Sequence, residues 1–365
     1  MRALPFPLRT LARLGRRRAG ERATEARALR QWVSGLWLCA GMVLGLSAEQ
    51  ARAATTPEKV VRLSHVVAPE TPKGRMATRF QELVAQASGG RIRVEVYPDS
   101  QLYGDDDEME ALQLGAVEIL APSLSKFGAA GVPEFDVFDL PFLFDTLSQV
   151  RCVTQGPIGQ RLLDSLARQQ MVGLGFLDNG FKQMSAQRPL REVADFRGLR
   201  LRIQSSRVLA AQMKALGAHP VVLPFGETRR ALAEGVVDGA ENPLSNFLTQ
   251  GLAPVQRVIT LTDHGYLGYA VVTNPRFWAR LEPADRALLQ RALQQALAEG
   301  NAQAAALNAQ ALATLKETAG VRVVSLSATQ RVALRRAVQP VQADFARRVG
   351  APLLRDVTNQ CLQPR

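Results

Sequence analysis

The chain has 365 residues, 47% hydrophobic and 21% charged, an ordinary globular balance with length enough for two domains. Its net charge of +12 suggests nucleic acid or an anionic membrane only until the charges are located. Ten of the 45 basic and three of the 33 acidic residues precede Ala54, leaving 35 against 30 beyond it, a balance that argues against nucleic-acid binding.

The first 53 residues have three parts. A basic stretch from Met1 to Arg30 is followed by an apolar run from Trp32 to Leu46 and by Ala51-Arg52-Ala53, a small-x-small cleavage pattern. The apolar run falls short of the roughly 20 residues that span a bilayer. The pattern predicts a cleaved signal peptide over residues 1–53, with an uncleaved anchor as the alternative; either places the remainder outside the cytoplasm. Of three cysteines, Cys39 lies in this leader. Cys152 and Cys361 are compatible with one disulfide or with two buried thiols.

Beyond the leader, strand and helix patterns alternate, which predicts an α/β architecture. Val60 to Ser64 reads as a strand, and Pro72 opens a helix marked by Met76, Phe80, Leu83, Val84 and Ala87. Ile92, Val94 and Val96 alternate as a half-buried strand. A helix through Met109, Leu112 and Leu114 stops at Gly115, and a strand follows over Val117 to Ala121. The rhythm continues with a helix over Ile158 to Leu166, a strand from Met171 to Leu177, a strand from Gly198 to Ile203 and a helix from Val208 to Leu216. Val221 to Leu223 and Val236 to Ala240 flank a short helix at Arg229 to Ala233. Pro283 begins a proline-free stretch to about Thr318 that predicts one long helix, with Gly300 as a local weakening of about 1 kcal/mol. A last helix covers Ala328 to Val349.

Enzyme templates fail. His65, His219 and His264 are far apart, and no Cys or His pair has zinc spacing. Gly173-Leu174-Gly175 lacks the third glycine of a dinucleotide loop, and there is no phosphate-binding loop or nucleophile elbow. Asp105-Asp106-Asp107-Glu108 lacks the glycine and spacing of a calcium loop and reads as an acidic first turn favoured by the helix dipole.

Seven phrases occur in order: SHVVAPETPKG (64–74), APSLSKF (121–127), DLPFLF (139–144), DNGFKQMS (178–185), LRIQSS (201–206), GAHPVVLPFGE (217–227) and ALAEGVVDGAENP (231–243). Together they make the chain resemble the extracytoplasmic solute-binding proteins of tripartite ATP-independent periplasmic (TRAP) transporters. The lysine of NGFK, Lys182, stands where the family's sialic-acid branch has arginine, and with SHVVAPETPKG it resembles the C4-dicarboxylate branch.

The resemblance implies a periplasmic-binding-protein-like α/β fold of two lobes with a cleft between them and a long bridging helix. Lobe I is expected over 54–179 plus 268–310 and lobe II over 180–267 plus 320–365, with the helix at about 283–318. It implies a periplasmic protein that captures malate, succinate or fumarate for a two-subunit membrane permease, with no catalysis, cofactor, metal or nucleic acid, and a monomer. A binding protein for another mono- or keto-carboxylate, or a ligand-presenting sensory module, is the alternative.

Carried over residue by residue, the resemblance makes Arg202 the partner of a substrate carboxylate, and its rigid guanidinium fork suits two carboxylate oxygens. Asn242 is read as a donor to the ligand, or else as a helix cap before Pro243. Lys182 is read as the partner of a second carboxylate, or else as a surface lysine. His65 and Lys73 flank the first loop, and Ser123 and Lys126 the third. Phe225 is a cleft wall or a core residue. His65, Ser123, Lys182 and Asn242 all follow predicted strands, where ligands collect in open α/β sheets.

Overall fold

The computed structural model describes residues 58–363; the predicted signal peptide and Cys39 lie outside them. The chain opens with β1 (Lys59–Ser64), α1 (Pro72–Ser88), β2 (Ile92–Tyr97), α2 (Glu108–Leu114), β3 (Ile119–Leu120), α3 (Leu124–Ala129), α4 (Leu147–Thr154), α5 (Pro157–Ser165) and β4 (Val172–Phe181). There follow β5 (Gln183–Ala186), α6 (Val193–Phe196), β6 (Arg200–Ile203), α7 (Arg207–Ala215), β7 (His219–Val222), α8 (Thr228–Ala233), β8 (Gly239–Asn242), α9 (Leu244–Thr249) and β9 (Val258–Leu261). The last elements are β10 (Tyr266–Thr273), α10 (Pro275–Arg280), α11 (Pro283–Glu317), β11 (Arg322–Ser325), α12 (Ala328–Val349) and α13 (Ala351–Val357), with a final π-helical turn at Thr358–Leu362.

Local chemistry explains the ends of α1. Thr71 caps it by accepting from the Gly74 N–H, Pro72 takes the first helical position, and Gly89 closes it in the left-handed conformation. Gly74 is obligatory here, since a Cβ would lie 2.4 Å from the Pro69 carbonyl oxygen.

Two sheets result, one per lobe. The first has the order β2-β1-β3-β10-β4, with β10 antiparallel to both its neighbours; the second has the order β11-β9-β5-β8-β6-β7. The chain passes from one to the other at Lys182, between β4 and β5, returns through residues 262–265, between β9 and β10, and crosses again along α11. These crossings move the expected lobe divisions at 179/180 and 267/268, because β4 stays paired with β10 as far as Phe181↔Tyr266. The predicted strand at Val117–Ala121 shortens to Ile119–Leu120, and the one at Val236–Ala240 shifts to Gly239–Asn242.

Helix α11 packs on α1 and β4 of the first lobe and on α9 and β11 of the second. Gly300 lies where α11 meets α1. A Cβ there would approach Leu177 Cδ1 to 2.9 Å and Met76 Cβ to 3.3 Å, so the glycine that weakens the helix allows close contact with its neighbours.

The C-terminal expectation needs correction. Residues 320–365 do not all belong to lobe II. Leu334 and Val338 of α12 join the second lobe's core, whereas Val341, Val349, Val357 and Cys361 join the first lobe's. At 22 residues, α12 is about 33 Å long and reaches from one lobe to the other. A Cys152–Cys361 disulfide, with Cα atoms 5.5 Å apart, fixes the end of the chain to α4. Among the described residues no helix is long and apolar enough to cross a membrane.

The disulfide closes a loop across 209 residues of sequence, and cross-links of this kind are typically worth about 2–4 kcal/mol. Dithiothreitol is expected to lower the melting temperature by several degrees. Cys152→Ser should show the same fall and no further response to the reductant.

Candidate functional site

The ends of strands from both sheets meet at the cleft. Lys73 at the start of α1, Ser123 after β3, Tyr269 in β10 and Asp105 before α2 come from the first lobe. Arg202 in β6, Gln204 just after it, Phe225 after β7, Asn242 at the end of β8 and Asn246 in α9 come from the second. With Val66, Val67 and Leu267 they line one small space between the lobes.

Two buried cations face this space from opposite lobes. The Lys73 ammonium donates to the Ala121 carbonyl at 3.0 Å and sits 4.1 Å from the centroid of the Tyr269 ring. The Arg202 guanidinium donates through Nε and Nη2 to the Leu223 carbonyl at 2.9 and 2.7 Å, and lies 5.7 Å from the Phe225 ring. Both residues are only 1% exposed, and among the described residues neither has a carboxylate oxygen within 4.0 Å. Burial pulls the Lys73 pKa down to about 8 against the pull of Glu108, and lowers that of Arg202. Arg200, two residues earlier on the same strand, instead forms an exposed pair with Asp238 at 2.7 Å.

Asn242 joins them. Its Nδ2 is buried with no hydrogen-bond partner among the described residues, and Pro243, not Asn242, occupies the cap position of α9. Ser123 lies on the wall and caps α3 by accepting from the Ser125 N–H at 3.4 Å. Phe225 is both wall and buried core residue.

Three expected wall residues lie elsewhere. Lys182 is fully buried at the crossing between the sheets, where its ammonium is 2.7 Å from Glu241 and 3.9 Å from Asp139. The 2.7 Å separation makes an ion pair even though the angle is poor for a hydrogen bond. His264 faces the same Glu241 oxygen at 3.1 Å, so Glu241 links the crossing at Lys182 to the one at residues 262–265. Lys126 pairs with Glu108 and with Asp105, the latter at 2.5 Å. Those acids were read as a helix first turn; two of the four in fact turn inward to hold a lysine. His65 lies beside Lys73 but off the wall, with neither ring nitrogen hydrogen-bonded among the described residues; burial, then Lys73, pull its pKa down to about 3.

Sequence reasoning missed Asp105, Gln204, Asn246 and Tyr269. Asn246 lies in the first turn of α9, just beyond the strand end that carries Asn242. Tyr269 sits in a wholly buried strand and reads as core, yet its hydroxyl accepts from Asn179 at 2.9 Å. Nothing in the sequence marks that pairing. The described residues contain no group of three or more His, Cys, Asp or Glu placed to hold a metal ion.

Residues 63–348 match the family model described as bacterial extracellular solute-binding protein, family 7. The C4-dicarboxylate-binding periplasmic protein DctP of Rhodobacter capsulatus is 50% identical over 293 residues, 80% of this chain and 88% of that protein. A TRAP periplasmic solute-binding protein from Shewanella oneidensis, solved with bound succinate, superposes with a TM-score of 0.81 at 41% identity, covering 82% of this chain and 98% of the other. One from Pseudomonas aeruginosa PAO1, solved with bound L-malate, gives a TM-score of 0.76 at 40% identity over 78% and 99%.

The unpaired ammonium has a measurable cost. Unfolded, Lys73 holds its proton to near 10.5; folded, only to about 8. Between those values the unfolded chain binds more protons, so stability rises with pH, and below about 8 the fold bears the full cost. Without added organic acid, Lys73→Met is expected to stabilise the protein at pH 7 by about 1–3 kcal/mol. Its melting-temperature advantage should shrink as pH is raised from 8 to 10.

Proposed function

This chain belongs to the bacterial extracellular solute-binding proteins of family 7, and on that footing we propose that it captures a C4-dicarboxylate such as succinate, malate or fumarate outside the cytoplasm for a TRAP membrane permease. The family consists of binding proteins that work with transport machinery, not of enzymes. One observation carries the choice of ligand. Lys73 and Arg202 bring two buried positive charges to one small cavity from opposite lobes, with no carboxylate oxygen of the described residues within 4.0 Å of either.

Desolvated cations without partners are costly, and a dianion supplies both partners. One carboxylate takes the guanidinium fork of Arg202 and the other takes Lys73 as a point charge. Asn242 Nδ2 donates to the ligand, and Val66, Leu267 and the face of Phe225 cover its carbon chain. Ser123, Asn246 and Tyr269 complete the polar wall. Lys182, Lys126 and His65 support the site without touching the ligand. Because the cations belong to different lobes, the ligand binds both fully only when the lobes are together; that differential affinity drives closure. An exported, signal-peptide-cleaved form agrees with the disulfide, which persists in oxidising compartments.

Calorimetric titration tests the reading. Succinate, L-malate or fumarate should bind with a Kd at least about tenfold below that of butyrate, and should raise the melting temperature by linkage. Arg202→Ala should weaken dicarboxylate binding by about 100-fold or more, the usual scale for removing one member of a buried charge pair. Near-parental affinity in that variant would contradict the assignment of Arg202.

A further inference from the structure

Several side-chain hydrogen bonds tie the lobes together, among them Asn179 to Asn246 at 2.8 Å and Ser245 to Asn179 at 2.9 Å, and two more engage carboxylates of the first lobe. Ser206, at the start of α7 in the second lobe, donates to Asp139 of the first at 2.7 Å. Asp105, in the first lobe, accepts from the backbone N–H of Phe225, in the second, at 2.5 Å. The second bond is unusually well supported. Lys126 bears on the other Asp105 oxygen at 2.5 Å, and its ammonium also donates to the Asp105 backbone carbonyl at 3.1 Å. Lys126 is itself held by the buried Glu108. On the far side, the lip of the second lobe is fixed on either side of the bond: Arg202 holds the Leu223 carbonyl, and Gln250 donates to the Phe225 carbonyl at 3.4 Å. A chain of contacts therefore runs from Glu108 through Lys126 and Asp105 to Phe225.

The geometry points to Asp105 as a closure latch: Lys126 positions its carboxylate to grip the Phe225 N–H when the lobes meet, and this bond sets how long the captured acid is held. The inference rests on the ligand-capture reading above but concerns residence, not recognition. The lobes are joined near Lys182 and residues 262–265, so a bond at the Phe225 lip must lengthen when they swing apart. Its loss therefore speeds opening and release. Lys126 is accordingly a positioning residue. The sign of the effect is diagnostic. Removing an anion from the wall of a cationic cavity tightens dianion binding if charge alone matters, whereas loss of a latch weakens it.

Stopped-flow kinetics with succinate on the exported chain provide the test. Asp105→Ala, in which Lys126 keeps Glu108, should raise the release rate about tenfold without slowing capture. The same factor should appear in a Phe225→Ala background, which keeps the N–H, and vanish in a Phe225→Pro background, which has none. An equal effect of Asp105→Ala in the proline background, or tighter binding in the single variant, overturns the latch. If the parent does not bind succinate, the ligand reading fails by itself. The latch is then judged from interlobe distances between spin labels at Glu82→Cys and Arg230→Cys, which Asp105→Ala should lengthen; unchanged distances overturn it.

Discussion

Everything else in the molecule is arranged around two buried positive charges that the protein itself does not neutralise. Lys73 and Arg202 have carbonyl oxygens and aromatic faces for neighbours, and among the described residues no carboxylate oxygen within 4.0 Å, although Asp105 shares the same wall. A fold selected only for stability would pair such groups or replace them. The carboxylates are nearby and are kept occupied: Asp105 and Glu108 by Lys126, Glu241 by Lys182 and His264, Asp139 by two serine hydroxyls. In this arrangement the surrounding ion pairs work as insulation, leaving only the two cleft cations available to an incoming anion. On the proposed reading, stability is given up at the site where the ligand returns it.

The architecture gives that charge arrangement its mechanical consequence. One cation is anchored on α1 of the first lobe and the other on β6 of the second, so the groups that need a common partner move relative to each other when the lobes move. The connections are short at Lys182 and at residues 262–265, and long along α11 and α12. Short crossings concentrate bending, while α11 and α12 run through both lobes; the Cys152–Cys361 bridge lies within the first. Placing the buried Lys182 pair at one of these crossings gives the hinge a defined resting geometry.

Much of the fold was legible because periodicity and punctuation are local properties. Pro72, Gly89, Gly115 and Pro283 mark real helix ends, and the helix over 328–349 has the predicted span. Strand β3 was misjudged because its pairing depends on β1 and β10, distant partners that no local pattern reveals. The destination of the last helices was equally invisible, since it is decided by a disulfide and by a core shared with α4 and α5. At the site, the residue types were legible and their assignments only partly so. The arginine in its strand and the asparagine before proline stood out. Whether Lys73, Lys126 or Lys182 faces the cavity depends on which lysine finds an acid first, a three-dimensional contest that the sequence does not display.

The central claim is that Lys73 answers the second carboxylate of a ligand whose first is held by Arg202. It is tested most directly by titrating succinate and butyrate, which differ by one carboxylate on the same four-carbon chain, into the parent and Lys73→Met. The account predicts that the variant loses most of the preference for succinate while binding butyrate about as well as before. A variant that keeps the parental preference for succinate, or that loses both ligands equally, would contradict it.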